Sequence, residues 1–290
     1  MLRKMAETLL LLSPLIILGV ISCNKPSRPA LGNYPVDNVT LPGGDLRFFV
    51  NFDSTKPDAK QINIRFEDSI SGYPSFFPNS AISVVPGIHG TAYKGSDGVA
   101  LEYVNANDFA SASSFTVAFW EKAEGVPKSD PQFVMSLVDK DYWHNSGVFL
   151  LFDHQGAGST ADSAAVTFAV KDNWYVFHNK DRIPKIYDKG WHHMAFVYDE
   201  TTSKLTTYID GQALTGLSKD ATSLAGLQGK ANFTPGSVSN LVLGGWNKHV
   251  GLPGPTDDWI KSFPGSLDQF RLYNKALSAS DILALFNSKL

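Results

Sequence analysis

In the stretch SSFTVAFWEK, residues 113 to 122, apolar side chains recur at every second position. Phe115, Val117 and Phe119 fall on one side, Thr116, Ala118 and Trp120 on the other. A strand alternates its side chains with period two and a helix with period 3.6, so this segment is committed to a sheet. The same period returns in DLRFFVNF, where Leu46, Phe48, Val50 and Phe52 share a face. Further strand candidates are QINIRF, VALEYV, QFVMSLV, GVFLLF, AAVTFAV, WYVF, HMAFVY, LTTYID, LVLGG and LDQFRLY. They are rich in β-branched and aromatic residues and bounded by Gly, Pro, Asn and Asp. Many short strands with turn signals between them predict an antiparallel sandwich.

One helix is expected, at the C-terminal end. In LSASDILALF, Ser278 and Asp281 have the spacing of a capping box, and Ile282, Leu285 and Phe286 follow on one face. We expect it across an end of the sandwich. Residues 212–240 and 246–264 are long, polar, Gly- and Pro-rich connections, and long loops in compact domains often carry function.

The first 22 residues read as an export signal. Arg3 and Lys4 precede the apolar run LLLLSPLIILGV, which is short and interrupted by proline. The following VISC resembles the lipobox of bacterial lipoproteins, which implies lipid attachment at Cys23, the only cysteine of the chain. Residues 23–44 are rich in Pro, Gly and Asn and read as a flexible tether, leaving 45–290 as the folded domain. The expected setting is the bacterial cell envelope, with the outer membrane favoured and its face left open. The membrane is expected to be touched only through the lipid. With 43% apolar residues the domain can bury a full core, and a net charge of −3 without a basic run argues against nucleic acid.

The adjacent histidines of GWHHMAFVYDETTSKLTTYIDG (190–211) invite a metal reading. On a strand, however, His192 and His193 point to opposite faces and cannot easily share an ion. HMAFVY and LTTYID around DETTSK instead predict a hairpin, with one histidine inward and hydrogen-bonded and the other near the surface.

This hairpin resembles that of the laminin-G-like, concanavalin A-like lectin/glucanase superfamily. FVNFD (49–53), VPGIHGTAYKGSDGVALEY (85–103), SSFTVAFWEK, LVLGG (241–245) and FPGSLDQFRLYNKALSASDI (263–282) resemble further family segments, in the family's order. The resemblance implies a jelly roll: an all-β sandwich of two curved antiparallel sheets with a short C-terminal helix. It also implies a structural Ca²⁺ held by Asp268, by Asp53 and by carbonyls near Gly90. Calcium takes six to eight oxygens, so backbone and water would supply most of them. An alternative role for Asp268 is a bond to Arg271 or a neighbouring strand. Trp120 and Trp191 sit in family core motifs and read as packing.

Enzymes of this superfamily resembling laminarinases carry Glu-x-Asp-x-Glu on one strand. None of the six glutamates here (7, 67, 102, 121, 124 and 200) begins such a motif. Glu121 and Glu124 should face opposite sides, whereas a retaining glycosidase needs two carboxyls about 5 Å apart. No catalytic residue is assigned, and a binding role is expected over an enzymatic one. A pyranose stacks its apolar face on an aromatic ring while polar side chains take its hydroxyls. Trp143, Trp174, Trp246 and Trp259 lie beside polar residues near strand ends or in loops, with Tyr142 and Asn173 adjoining. If they converge, they form a platform for a polysaccharide or glycan. The competing readings are a protein-interaction or adhesion module and a glycoside hydrolase or lyase with an atypical acid pair.

Overall fold

The computed structural model describes residues 44–53, 66–76, 83–139, 143–233 and 238–289. The strands are β1 (Leu46–Val50), β2 (Ser83–Pro86), β3 (Thr91–Lys94), β4 (Leu101–Tyr103), β5 (Phe115–Lys122) and β6 (Gln132–Asp139). There follow β7 (Val148–Phe152), β8 (Ser163–Ala164), β9 (Val166–Val170), β10 (Asn173–Phe177), β11 (Ile183–Pro184) and β12 (His192–Asp199). The last are β13 (Lys204–Ile209), β14 (Gln212–Ala213), β15 (Val238–Leu243), β16 (Lys261–Ser262) and β17 (Ser266–Tyr273). Two α-helices lie late in the chain, α1 (Asn247–Val250) and α2 (Ala279–Ser288).

Two sheets form the expected sandwich. The first runs β14-β13-β12-β5-β17-β3-β2, with β1 also on β17, and the second runs β10-β9-β7-β6-β15-β4, with β16 on β6. All of these pairings are antiparallel except β16 with β6. A separate two-stranded ladder joins β8 and β11.

The period-two pattern sets which rings meet between the layers. Phe115, Val117 and Phe119 of β5 and Met194, Phe196 and Tyr198 of β12 enter one core with Phe168 of β9 and Tyr175 of β10. Phe168 and Phe196, from opposite sheets, stack at 4.5 Å with their planes 4° apart. Fully burying a ring of this size contributes about 1.5–3 kcal/mol.

Two features differ from the sequence reading. Helix α2 does not cross an end of the sandwich; it lies on the outer face of the first sheet. There Ile282 joins Ala118, Ala195, Val197 and Tyr208, and Phe286 stacks on Trp120 at 5.5 Å. Its outward-facing apolar strand residues needed cover, which period alone does not reveal. The connection after β14 is not only polar loop, for Ala221, Leu227, Ala231 and Phe233 are buried in the main core. The Gly-rich segment after residue 83 makes a hairpin of β2 and β3. The helix start is as expected: Ser278 Oγ accepts from Asp281 N, and Ser278 N donates to the Asp281 carboxylate.

Of QINIRF, only Phe66 is among the described residues, and Cys23 with residues 23–43 of the tether lies outside them. Among the described residues no helix is long and apolar enough to cross a membrane.

Candidate functional site

Strands β6, β7, β9 and β10 are apolar on both faces. Inward residues enter the core, while Phe133, Phe149, Leu151 and Ala169 face outward and form a second cluster. The chain covers this outer face with two loop segments. The turn after β6 brings Trp143, and the connection between β15 and β16 brings Trp246 and Ile260. Trp143 is the hub: its ring centroid lies 5.6 Å from Phe149, 6.0 Å from Phe133, 6.0 Å from Trp174 and 5.9 Å from Trp259. Edge-on and tilted contacts at such separations favour aromatic clusters beyond the area they bury.

The four tryptophans therefore gather on one face, but in two layers. Trp246 is 0% exposed and Trp143 3%. Both were expected as stacking rings; both instead pack against the sheet, because its outward apolar residues need cover. Trp259 is 53% exposed and Trp174 is half-buried. These two stand at the surface, each against the same buried indole. His144, not singled out as a binding residue from sequence, is half-exposed and lies 5.2 Å from Trp174 and 5.5 Å from Trp143.

Carboxylates hold the rings in place. Trp143 Nε1 donates to Asp257 Oδ2 at 2.7 Å, and Trp174 Nε1 donates to Asp172 Oδ1 at 3.0 Å. His144 Nδ1 lies 3.2 Å from the same Asp172 oxygen. Asp258 pairs with Lys248, so Asp257 and Asp258 serve loop structure. Asn173 does not join the aromatic surface. It is next to Trp174 on the strand and so faces the other way, its amide donating to the carbonyls of Val170 and Lys171. Tyr142 lies outside the described residues.

A second arrangement surrounds Asp268. One edge of β17 is shared, its first residues pairing with β3 and its last with β1. At the handover the strand bulges between Asp268 and Arg271, with Gln269 at φ 49°. Asp268 is thereby turned toward the β2–β3 loop, where Ile88 N donates to its Oδ2 at 2.7 Å. Asp53, just past β1, accepts from Thr91 N at 2.9 Å and from Asn51 Nδ2 at 2.9 Å. A Cβ on Gly87 would come within 2.4 Å of Asp268 Oδ2, and one on Gly90 within 1.9 Å of Asp53 Oδ1. Only glycines let the loop close over these carboxylates. Gly90, at φ +59°, is doubly constrained. Asp268 Oδ1 is buried without a hydrogen-bond partner. Burial, with the neighbouring Asp53 charge adding to it, pushes the Asp268 carboxyl up to about 7. Arg271 bonds the Gln269 carbonyl and side chain, lies over the Phe49 ring and interacts with Asp268 through space. Among the described residues no three His, Cys, Asp or Glu side chains gather as a metal-binding set.

The two strand-end glutamates separate as expected. Glu121 is fully buried, while Glu124 is exposed and pairs with Lys94. A depression of about 470 Å³ lies at another part of the domain, lined by Ser111–Ser114, Glu200 and Asn274–Ala276. It is open and polar and has no aromatic ring for a sugar to stack on, so the tryptophan cluster is the stronger candidate.

Comparison with known proteins bears on this geometry. A Laminin_G_3 family model, described as the concanavalin A-like lectin/glucanases superfamily, matches residues 94–283. The mouse protein "Sushi, von Willebrand factor type A, EGF and pentraxin domain-containing protein 1" is 29% identical over 179 residues, and its rat counterpart is 28% identical. The match takes in 60% of this chain but only 4% of those relatives. Among solved structures, domain 4 of AbnA, a GH43 extracellular arabinanase from Geobacillus stearothermophilus, in complex with arabinotriose, superposes with a TM-score of 0.52. It shares 18% identity and covers 84% of this chain and 98% of its own. The binding domain of botulinum neurotoxin DC in complex with SialylT also gives 0.52, at 14% identity, over 85% of this chain and 52% of its own. Trypanosoma rangeli sialidase in complex with sialic acid gives 0.51, at 17% identity, over 86% of this chain and 34% of its own. At these identities the likeness is one of fold.

Proposed function

This chain belongs to the concanavalin A-like lectin/glucanase superfamily, and from that premise we propose that it binds carbohydrate without transforming it, as a lipid-anchored module of a bacterial cell envelope. One observation carries the reading: Trp174 and Trp259 stand at the surface against the same buried Trp143. A flat ring exposed to this degree and fixed from beneath is suited to the apolar face of a sugar, at little entropic cost on binding. Asp172, Asp257 and His144 lie around the rings, where a sugar's hydroxyls would need partners. Solved structures of this fold with arabinotriose or a sialyl ligand support the reading. A glycan array probed with the full chain, followed by Trp174→Ala and Trp259→Ala on any hit, tests it. Unchanged binding by both variants would overturn it.

The structural Ca²⁺ is proposed on a separate observation, the buried and unpartnered Asp268 Oδ1 beside Asp53. Asp268 and Asp53 would be its side-chain ligands. Carbonyls of the glycine-bounded loop near Gly90 would join them, consistent with the preference of hard cations for oxygen. The ion would hold β1, the β2–β3 loop and β17 together, a structural role and not a catalytic one. For the anchor at Cys23, mass spectrometry of the mature N-terminus is the test; an unlipidated Cys23 would remove it.

A further inference from the structure

We infer that the tryptophan surface continues along β10 into a second subsite, formed by His178 and Asp153 and positioned from beneath by Thr167, which takes the next rings of a neutral oligosaccharide chain. This rests on the carbohydrate-binding reading and names its substrate class. The strand register carries it. On the outer face, Trp174, Ala169 and Phe149 lie side by side across β10, β9 and β7, and the next row is Val176, Thr167 and Leu151. One row further, Asp153 N donates to Ala165 O at 2.9 Å, while His178 Nε2 reaches Asp153 Oδ2 at 3.3 Å across the middle strand. Thr167 Oγ1 donates to the same oxygen at 3.3 Å. The accessible track is the edge strand, where Trp174, Val176 and then His178 are each half-buried, while Ala169, Thr167, Phe149 and Leu151 are buried beside them.

The two ends of this track differ in chemistry. At one end are Trp174 and its buried support; at the other are an imidazole and a carboxylate, which the Thr167 hydroxyl holds from beneath. His178 is 35% exposed at its side chain and Asp153 14%. The bonds from Thr167 and His178 both fall on Asp153 Oδ2, so Oδ1 is the oxygen offered to a sugar hydroxyl. From Trp174 to His178 the strand rises by about 13 Å, longer than one sugar ring. Asp153 at one end, with Asp172 and Asp257 at the other, sets like charge against uronic or sialic acids, so a neutral chain is favoured.

The test is calorimetric titration of the full chain with cello-, xylo-, manno- and arabino-oligosaccharides, from disaccharides to hexasaccharides, together with a uronic acid oligomer and a sialylated trisaccharide. Affinity for a neutral series should rise about tenfold or more from disaccharide to tetrasaccharide. His178→Ala and Thr167→Val should each lower hexasaccharide affinity about tenfold with the disaccharide unchanged, and Thr167→Ser should retain the wild-type value. Trp174→Ala should weaken both lengths. Unchanged hexasaccharide affinity in His178→Ala and Thr167→Val, each with wild-type thermal unfolding, would overturn the subsite. So would equal affinity at all lengths with Trp174 dependence intact, which leaves the first reading standing. Tighter binding of the charged oligomers would overturn the neutral assignment. No binding to any sugar, with the array also blank, would overturn the underlying reading itself.

Discussion

His192 and His193 are adjacent on β12 yet live in opposite layers of the molecule. His192 points inward at the strand end, its Nδ1 3.0 Å from Asp210 Oδ2 and its Nε2 3.0 Å from Asp188 Oδ1. One histidine of the pair was expected near the surface; His193 does point outward, but α2 buries it against Trp120 and Phe286, with neither ring nitrogen hydrogen-bonded.

Their titrations should therefore move apart. The hydrogen bond with Asp210 leads the causes that raise His192, while burial, with Arg271 adding to it, lowers His193 to about 3. His192 contributes stability that is full below its unfolded value near 6.5 and is lost as pH rises through its raised folded value. His193 does the reverse, costing stability as pH falls below about 6.5. Asp210 is desolvated, but bonds from His192 and Lys185 outweigh this and hold it at about 2, so its contribution is lost only as pH falls through that value. On going from pH 8 to 5, His192→Gln should lose more stability than wild type and His193→Gln less. Thermal unfolding across pH checks this, and the same response in both variants would contradict it.

Glu121 stands directly across from His192, fully buried, with both oxygens lacking a hydrogen-bond partner. Burial, with the Asp188 charge adding to it, raises its carboxyl well above the usual range. An acid with a raised folded value loses stability as pH rises above its unfolded value near 4.3. Glu121→Gln should be more stable than wild type at neutral pH by about 1–3 kcal/mol, with the gap closing below about pH 4. Chemical denaturation at the two pH values reads it.

Trp246 and Trp259 should respond oppositely to truncation. Trp246→Ala empties a fully buried site and should cost about 3–5 kcal/mol. Trp259→Ala removes an exposed ring and should leave the unfolding midpoint nearly unchanged while weakening glycan binding. Comparing unfolding and binding for both variants checks the two-layer arrangement.

Gly211 governs how α2 docks. At φ +76°, a Cβ there would meet Leu283 Cδ1 at 3.0 Å and Phe286 at 3.2 Å. Gly211→Ala should destabilise by about 1–3 kcal/mol through backbone strain and overpacking. Increased protease cleavage within 279–288 would show that the helix has loosened.

Calcium should raise the unfolding temperature, and a chelator should lower it. Asp268→Asn should abolish that dependence. A chelator-insensitive wild type would remove the ion from this account.

The sandwich was legible because strand alternation is local: each run such as FTVAFW states its own two faces. The capping box at Ser278 is equally local. The binding surface was legible only in part. Trp143, Trp174, Trp246 and Trp259 look alike in sequence, each beside polar neighbours, and all four converge. Which two reach the surface depends on the long connection after β15, whose fold buries Trp246 and leaves Trp259 outside. His193 is a parallel case: its direction follows from alternation, but its burial depends on a helix docked some 86 residues later in the chain. Alternation assigns a side chain to a face; whether that face meets water, a loop or a helix is decided by long-range packing, because distant segments compete to cover the same apolar surface.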